Sequence, residues 1–97
     1  LGVVMASGGY PDKYETGFEI NIRGEDLPGT FIYHAGTSTG ERGSLVTSGG
    51  RVLTVVGIAD SLKDAKGLAY RRVADVSFKG AHYRKDIGDK SLKGDKI

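Results

Sequence analysis

The sequence predicts an α+β domain, mostly β, and three observations support that class. The first is the longest apolar run, Arg51-Val52-Leu53-Thr54-Val55-Val56-Gly57-Ile58. Four of its five apolar side chains are β-branched and favour a strand. Leu53 and Val55 point one way and Val52, Val56 and Ile58 the other, so both pleat faces are apolar, as in a strand at the middle of a sheet. Leu53 and Val56 are therefore expected on opposite buried faces. The second observation is a series of shorter extended segments separated by glycines. The 16 glycines occur singly and in pairs without a period, which marks tight turns rather than low complexity. The third is one stretch of helical period near the end, where Leu62, Ala65, Ala69, Val73 and Val76 share a face with Leu68 beside them. A run of strands followed by one helix is an α+β pattern, with the helix face packed on the sheet.

In chain order, Gly2 to Ser7 reads as the first strand through Val3, Val4 and Met5. Ser7-Gly8-Gly9-Tyr10-Pro11 breaks it. Paired glycines permit positive φ and close approach to the backbone, and Pro11 biases Tyr10 towards an extended conformation. Asp12 to Thr16 is polar and irregular. Phe18, Ile20 and Ile22 alternate with Glu19 and Asn21, the pattern of a half-buried strand. Gly24 to Gly29 is a loop, Thr30 to Ala35 a strand, Gly36 to Gly43 a hairpin connection, and Leu45 to Thr47 a short strand. Ser48-Gly49-Gly50 turns the chain into the central strand and leaves Arg51 at its mouth. Asp60 or Ser61 caps the helix, and Ser61 with Asp64 resembles a capping box. Gly67 inside the helix costs about 1 kcal/mol relative to alanine. Phe78 to Arg84 reads as a last extended segment. The domain is expected over residues 1–88, with 89–97 a flexible tail.

Ninety-seven residues make one domain with a modest core. The absence of cysteine excludes a disulfide framework and a thiolate zinc site, and fits a reducing, cytoplasmic setting. No apolar run approaches the roughly 20 residues of a membrane span, and the first residues lack the charged start of a signal peptide. The chain begins without methionine and in mid-strand, so a piece of a longer polypeptide is expected. Charge is uneven: residues 1–50 hold 3 Lys/Arg against 6 Asp/Glu, and residues 51–97 hold 11 against 6. A basic second half can meet phosphate, but a solvated helix face and a lysine-rich tail are the simpler account of it.

Nucleophilic catalysis finds no support. Ser7 and Ser48 stand beside paired glycines, but neither has the strand–G-x-S-x-G–helix setting of a nucleophile elbow. His34 and His82 read as strand or loop histidines, and no His/Asp/Glu cluster has metal-ligand spacing. Gly36-Thr37-Ser38-Thr39-Gly40 lacks the lysine and following helix of a phosphate loop, and no lysine is placed to bear biotin or lipoate. Two glycine turns remain, Ser7-Gly8-Gly9-Tyr10-Pro11 and Ser48-Gly49-Gly50-Arg51. Exposed backbone N–H groups at such turns can form an anion nest, and a guanidinium fork matches phosphate. Two structural turns and a surface arginine explain the same residues.

Five motifs occur in one order: Ala6-Ser7-Gly8-Gly9-Tyr10-Pro11, Tyr33-His34-Ala35-Gly36-Thr37, Gly49-Gly50-Arg51-Val52-Leu53, Ala69-Tyr70, and Tyr83-Arg84-Lys85-Asp86-Ile87-Gly88. Together, over about residues 3–88, they resemble the C-terminal domain of the phosphoribosylamine–glycine ligase family of the ATP-grasp superfamily. The resemblance implies a rudiment single hybrid motif, an antiparallel barrel-sandwich with one helix on the sheet. It implies a part in joining glycine to 5-phosphoribosylamine with ATP and Mg²⁺ in purine biosynthesis. ATP and Mg²⁺ would bind mainly in preceding ATP-grasp domains of the same polypeptide, so the fragment alone would not be catalytic. In related enzymes the arginine opening the long strand helps hold the substrate's phosphate, and Arg51 matches that position. The residue after the preceding strand is lysine in some relatives and Thr37 here. From this match and the two glycine turns, the expected substrate-binding set is Arg51, Gly50, Gly49, Thr37, Ser7, Gly8 and Gly9.

Two other readings stand beside this one: a free-standing β module for phosphate-bearing ligands or nucleic acid, and a purely structural or interaction domain. Few aromatics and a basic charge concentrated on the helix and tail speak against nucleic acid. Neither nucleic acid nor a membrane is an expected partner.

Overall fold

A computed structural model describes residues 1–87. Seven strands and one helix follow one another as β1 (Gly2–Ala6), β2 (Asn21–Ile22), β3 (Thr30–His34), β4 (Thr37–Thr39), β5 (Leu45–Thr47), β6 (Arg51–Gly57), α1 (Leu62–Val73) and β7 (Val76–Ser77). The apolar run is the central strand: β6 lies between β1 and β3, antiparallel to both. β2 pairs with β7, and β4 with β5. The class is small, mostly sheet, with one helix. The finer expectation of a barrel-sandwich is not confirmed: among the described residues there are three sheets, and none is closed. Four of the strands are only two or three residues long, too short to carry a continuous ladder around a barrel. The proposed 89–97 tail lies outside the described residues.

β6 buries one face fully and the other in part. Leu53 and Val55 point into the core with Val3 and Met5 of β1 and with Ala69 and Val73 of α1. Gly57 continues that face, where a Cβ would collide with the Ala65 carbonyl and stand 2.7 Å from the Ala69 nitrogen. Glycine is what lets the helix sit this close to the strand. On the opposite face Thr54 and Val56 are only half-buried, so Val56 does not occupy the second buried face expected of it. The helix covers one side of the sheet, and no described element covers the other. Val52 is the exception, fully buried at a bulge: the register with β1 jumps from Met5↔Leu53 to Ala6↔Arg51, and the Val52 carbonyl accepts from both Ala35 and Gly36 N–H at 3.0 Å.

The helix begins where its sequence directs. Ser61 is the N-cap, its hydroxyl accepting from Asp64 N–H at 3.1 Å. It ends at Val73 rather than Val76, because Val76 leaves to pair with Ile22 in β7. Gly67 is exposed, with open space where its Cβ would be. Gly67→Ala is accordingly expected to stabilise the domain by about 0.5–1 kcal/mol, read as a higher urea midpoint with unchanged slope.

Between β1 and β3 the strand expected over Phe18 to Ile22 is reduced to its end. Residues 17–20 run along β5, with Gly17 N–H donating to the Thr47 carbonyl and Ile20 N–H to that of Leu45. Ile20 is buried there, whereas Ile22 is exposed. The hairpin connection contains a strand, β4, where the sequence predicts only a loop. In the segment expected to extend from Phe78 to Arg84, the β pairing among the described residues is reduced to the Ala6↔His82 bridge.

Candidate functional site

Three glycine-bearing turns meet at the mouth of β6. Ser7 joins the first to the third: its N–H donates to the Gly50 carbonyl and its hydroxyl to the Gly49 carbonyl, each at 2.7 Å. The second turn closes on the third through Ser48 N–H, which donates to the Gly36 carbonyl at 2.7 Å. The Tyr10 ring lies on Gly50 so closely that any Cβ there would enter the ring, so only glycine fits beneath it. Tyr10 is steadied by an edge contact to Tyr14, with centroids 5.8 Å apart.

These turns border an open cavity of about 510 Å³, lined by Tyr10, Gly36, Ser48, Gly49, Gly50 and Arg51, and closed along the sheet by Val4, Ala35 and Thr54. The Arg51 side chain is exposed and, among the described residues, makes no ion pair or hydrogen bond. A free guanidinium beside a glycine turn is a ready partner for a phosphate or carboxylate, because its fork can give two parallel hydrogen bonds. The half-buried Tyr10, whose ring lies on Gly50, lines the same cavity.

The predicted residues are only partly gathered here. Arg51, Gly49 and Gly50 line the cavity. Ser7 is buried, 2% exposed, and spends its hydroxyl on Gly49, so it builds the site without facing it. Gly9, with φ +95°, shapes the first turn and is not in the lining. Gly8 opens instead on a separate cavity of about 420 Å³ with Lys13, Phe18 and Lys79. Thr37 stands away on β4, its hydroxyl 3.3 Å from His34 Nδ1. Tyr10, Gly36 and Ser48 join the lining, and the signal for Tyr10 was its place directly after two glycines.

The remaining features are structural. A larger cavity of about 610 Å³ lies under Leu27 to Phe31 and reaches Arg72. Arg72 is 2% exposed, but its guanidinium is occupied by the Arg23 carbonyl at 3.0 Å, Asp75 at 3.1 Å and Asp26 at 3.5 Å. Arg84 holds Asp86 in a two-point pair at 3.1 and 3.0 Å. That hydrogen bonding keeps the Asp86 carboxyl below its ordinary range and raises Arg84. Both groups are exposed, so the pair adds little to stability. Among the described residues there is no group of three or more His, Cys, Asp or Glu side chains that could hold a metal ion. No described helix is long and apolar enough to cross a membrane.

The five sequence motifs sort into two places. Those containing Tyr10, Ala35-Gly36 and Gly49-Gly50-Arg51 converge on the cavity. Ala69-Tyr70 meets Tyr83-Arg84, with the Tyr70 hydroxyl donating to the Arg84 carbonyl and the Tyr70 and Tyr83 rings 6.2 Å apart.

Comparison with known proteins places the chain among relatives. Residues 1–90 match the family described as phosphoribosylglycinamide synthetase, C domain. A phosphoribosylamine–glycine ligase from Caldanaerobacter subterraneus subsp. tengcongensis is 52% identical over 86 residues, 88% of this chain and 20% of the ligase. The ligase from Chlorobaculum tepidum is 52% identical over 92 residues, 93% of this chain and 21% of its own length. The crystal structure of the phosphoribosylamine–glycine ligase from Thermotoga maritima superposes with a TM-score of 0.78 at 41% identity, covering 88% of this chain and 20% of that one. The chain thus spans about a fifth of the length of these relatives.

Proposed function

The chain belongs to the phosphoribosylglycinamide synthetase C-domain family, and on that premise we propose that it is the substrate-side domain of a ligase joining glycine to 5-phosphoribosylamine in purine biosynthesis. The observation that supports this reading is the exposed, unpaired Arg51 in a cavity built by glycine turns. The group it would hold is the 5-phosphate of phosphoribosylamine, bound by the guanidinium fork at the floor set by Gly49 and Gly50. Tyr10 would border the ribose. In this reading the domain positions a substrate and performs no bond-making step itself. ATP and Mg²⁺ would be held by preceding ATP-grasp domains of the same polypeptide, which supply the activated glycine.

Calorimetry on the 97-residue chain tests the division of labour. Titration with Mg-ATP to millimolar nucleotide is expected to give no saturable heat. A micromolar isotherm would move the nucleotide site into this domain and overturn the assignment.

A further inference from the structure

Tyr14 is a large ring at the surface, 41% exposed, in a stretch whose sequence is polar and irregular. Its surroundings are nevertheless ordered. The loop after β1 folds back on itself: Tyr10 N–H donates to the Ser7 carbonyl at 3.1 Å, and Asp12 N–H to the Gly9 carbonyl at 2.8 Å. The Lys13 carbonyl comes so near Gly9 that a Cβ there would collide with it. This fold-back sets the Tyr14 ring edge-on to the Tyr10 ring, with centroids 5.8 Å apart and planes at 63°. Two aromatic quadrupoles attract in that arrangement. Tyr10 in turn lies on Gly50, where a Cβ would enter its ring. Among the described residues the Tyr14 hydroxyl makes no hydrogen bond, so the ring is what its side chain contributes.

We infer that Tyr14 is a positioning residue for the Arg51 cavity. It lines a separate cavity and not this one, so it acts through its neighbour. Tyr14 keeps the Tyr10 ring seated on Gly50, and the seated ring holds the Gly49-Gly50 turn in the shape that delivers Arg51 to the cavity. The kinetic side of this inference rests on the proposed reading of the cavity as the place of the ribose phosphate. Two features favour it. Tyr10 borders an open cavity and is only half-buried, so a neighbour is needed to fix its ring. The Gly49-Gly50 pair has the widest backbone freedom and no side chain of its own to restrict it. Its shape therefore depends on what presses on it: the two Ser7 hydrogen bonds at its carbonyls, and the Tyr10 ring on Gly50. A tyrosine that merely covers its own loop would leave the cavity untouched when removed.

Tyr14→Ala and Tyr14→Phe are made in the full-length ligase that contains this chain, with Tyr10→Ala and the double variant beside them. Tyr14→Ala is expected to raise KM for phosphoribosylamine roughly 3- to 10-fold, the worth of one aromatic pair, with kcat and the KM values for glycine and ATP within about twofold of wild type. Tyr14→Phe keeps the ring edge and should restore the KM. The double variant should be no worse than Tyr10→Ala, because a residue acting through Tyr10 then has nothing to act on. Amide exchange gives a readout that needs no substrate. In Tyr14→Ala the peptide holding Ser48 to Arg51, remote from Tyr14 in sequence, should exchange faster by a similar factor, roughly 3- to 10-fold, and in Tyr14→Phe at the wild-type rate. Unchanged exchange in that peptide would overturn the inference. So would effects of the two tyrosines that multiply, a Tyr14→Phe enzyme as impaired as Tyr14→Ala, or losses shared by all three substrates. Should Tyr14→Ala not fold, Tyr14→Leu, which keeps apolar bulk without a ring, is read in the same way. The reading of the cavity itself fails separately. Faster exchange in Tyr14→Ala beside unaltered phosphoribosylamine kinetics in Arg51→Ala would remove the substrate from the cavity. An impaired Arg51→Ala enzyme beside wild-type exchange and kinetics in Tyr14→Ala would remove Tyr14 alone.

Discussion

Leu53→Ala is expected to destabilise the domain by about 2–4 kcal/mol. Leu53 is fully buried on the central strand, paired with Met5 on one side and His34 on the other. Its face is closed by α1, with Ala69 and Val73 packed in the same cluster. Strands on both sides and a helix above leave little freedom to collapse into the space of the lost side-chain carbons, so a cavity remains and adds to the lost transfer energy. Val56→Ala, further along the same strand, is expected to cost less than about 1 kcal/mol, because its side chain is only half-buried on the uncovered face. Urea unfolding of the two variants makes the comparison. A loss below about 0.5 kcal/mol for Leu53→Ala would mean that β6 is not the packed centre, and equal losses would mean that both faces are covered.

That asymmetry marks the boundary of what is legible in the sequence. β6 is legible because β-branched residues fill it and glycines precede it, and Ser61 is legible because a cap is a local event. The environment of Val56 is not, because an apolar residue on a strand shows that a face wants cover without showing whether this chain supplies it. β4 escapes for a different reason. Thr37-Ser38-Thr39 is polar and framed by glycines, which reads as loop, yet threonine suits a strand whose only task is to pair with β5. The buried Arg72 reads as part of a solvated helix face, because its enclosing partners, Arg23 and Asp26, lie nearly fifty residues away in sequence. At the candidate site the local parts are visible: a glycine pair, then an arginine. Their assembly is not. The seating of Tyr10 on Gly50 and of Gly36 against Gly49 joins turns distant in the chain. Thr37, next to Gly36 in sequence, leaves the cavity because β4 carries it away.

Arg51→Ala in the full-length ligase is expected to weaken the use of phosphoribosylamine by roughly 10- to 150-fold, matching the loss of a charge-assisted hydrogen bond worth about 1.5–3 kcal/mol. The side chain is exposed and has no partner among the described residues, so its removal leaves no buried group unsatisfied and breaks no pair. The stability of the variant should therefore stay within about 0.5 kcal/mol of wild type. Glycine and ATP should be affected much less, since glycine has no phosphate and ATP is proposed to bind in other domains of the polypeptide. Arg51→Lys should recover only part of the loss, because lysine keeps the charge but replaces a planar two-point fork with a single point. An arginine that merely shields the strand end would behave in the opposite way, lowering stability and leaving all three substrates near wild type. Steady-state kinetics with each substrate varied in turn, run beside thermal melts, separates the two outcomes. Unchanged KM and kcat for phosphoribosylamine in Arg51→Ala would remove Arg51 from the site, and with it the reading of this cavity as the place where the ribose phosphate is held.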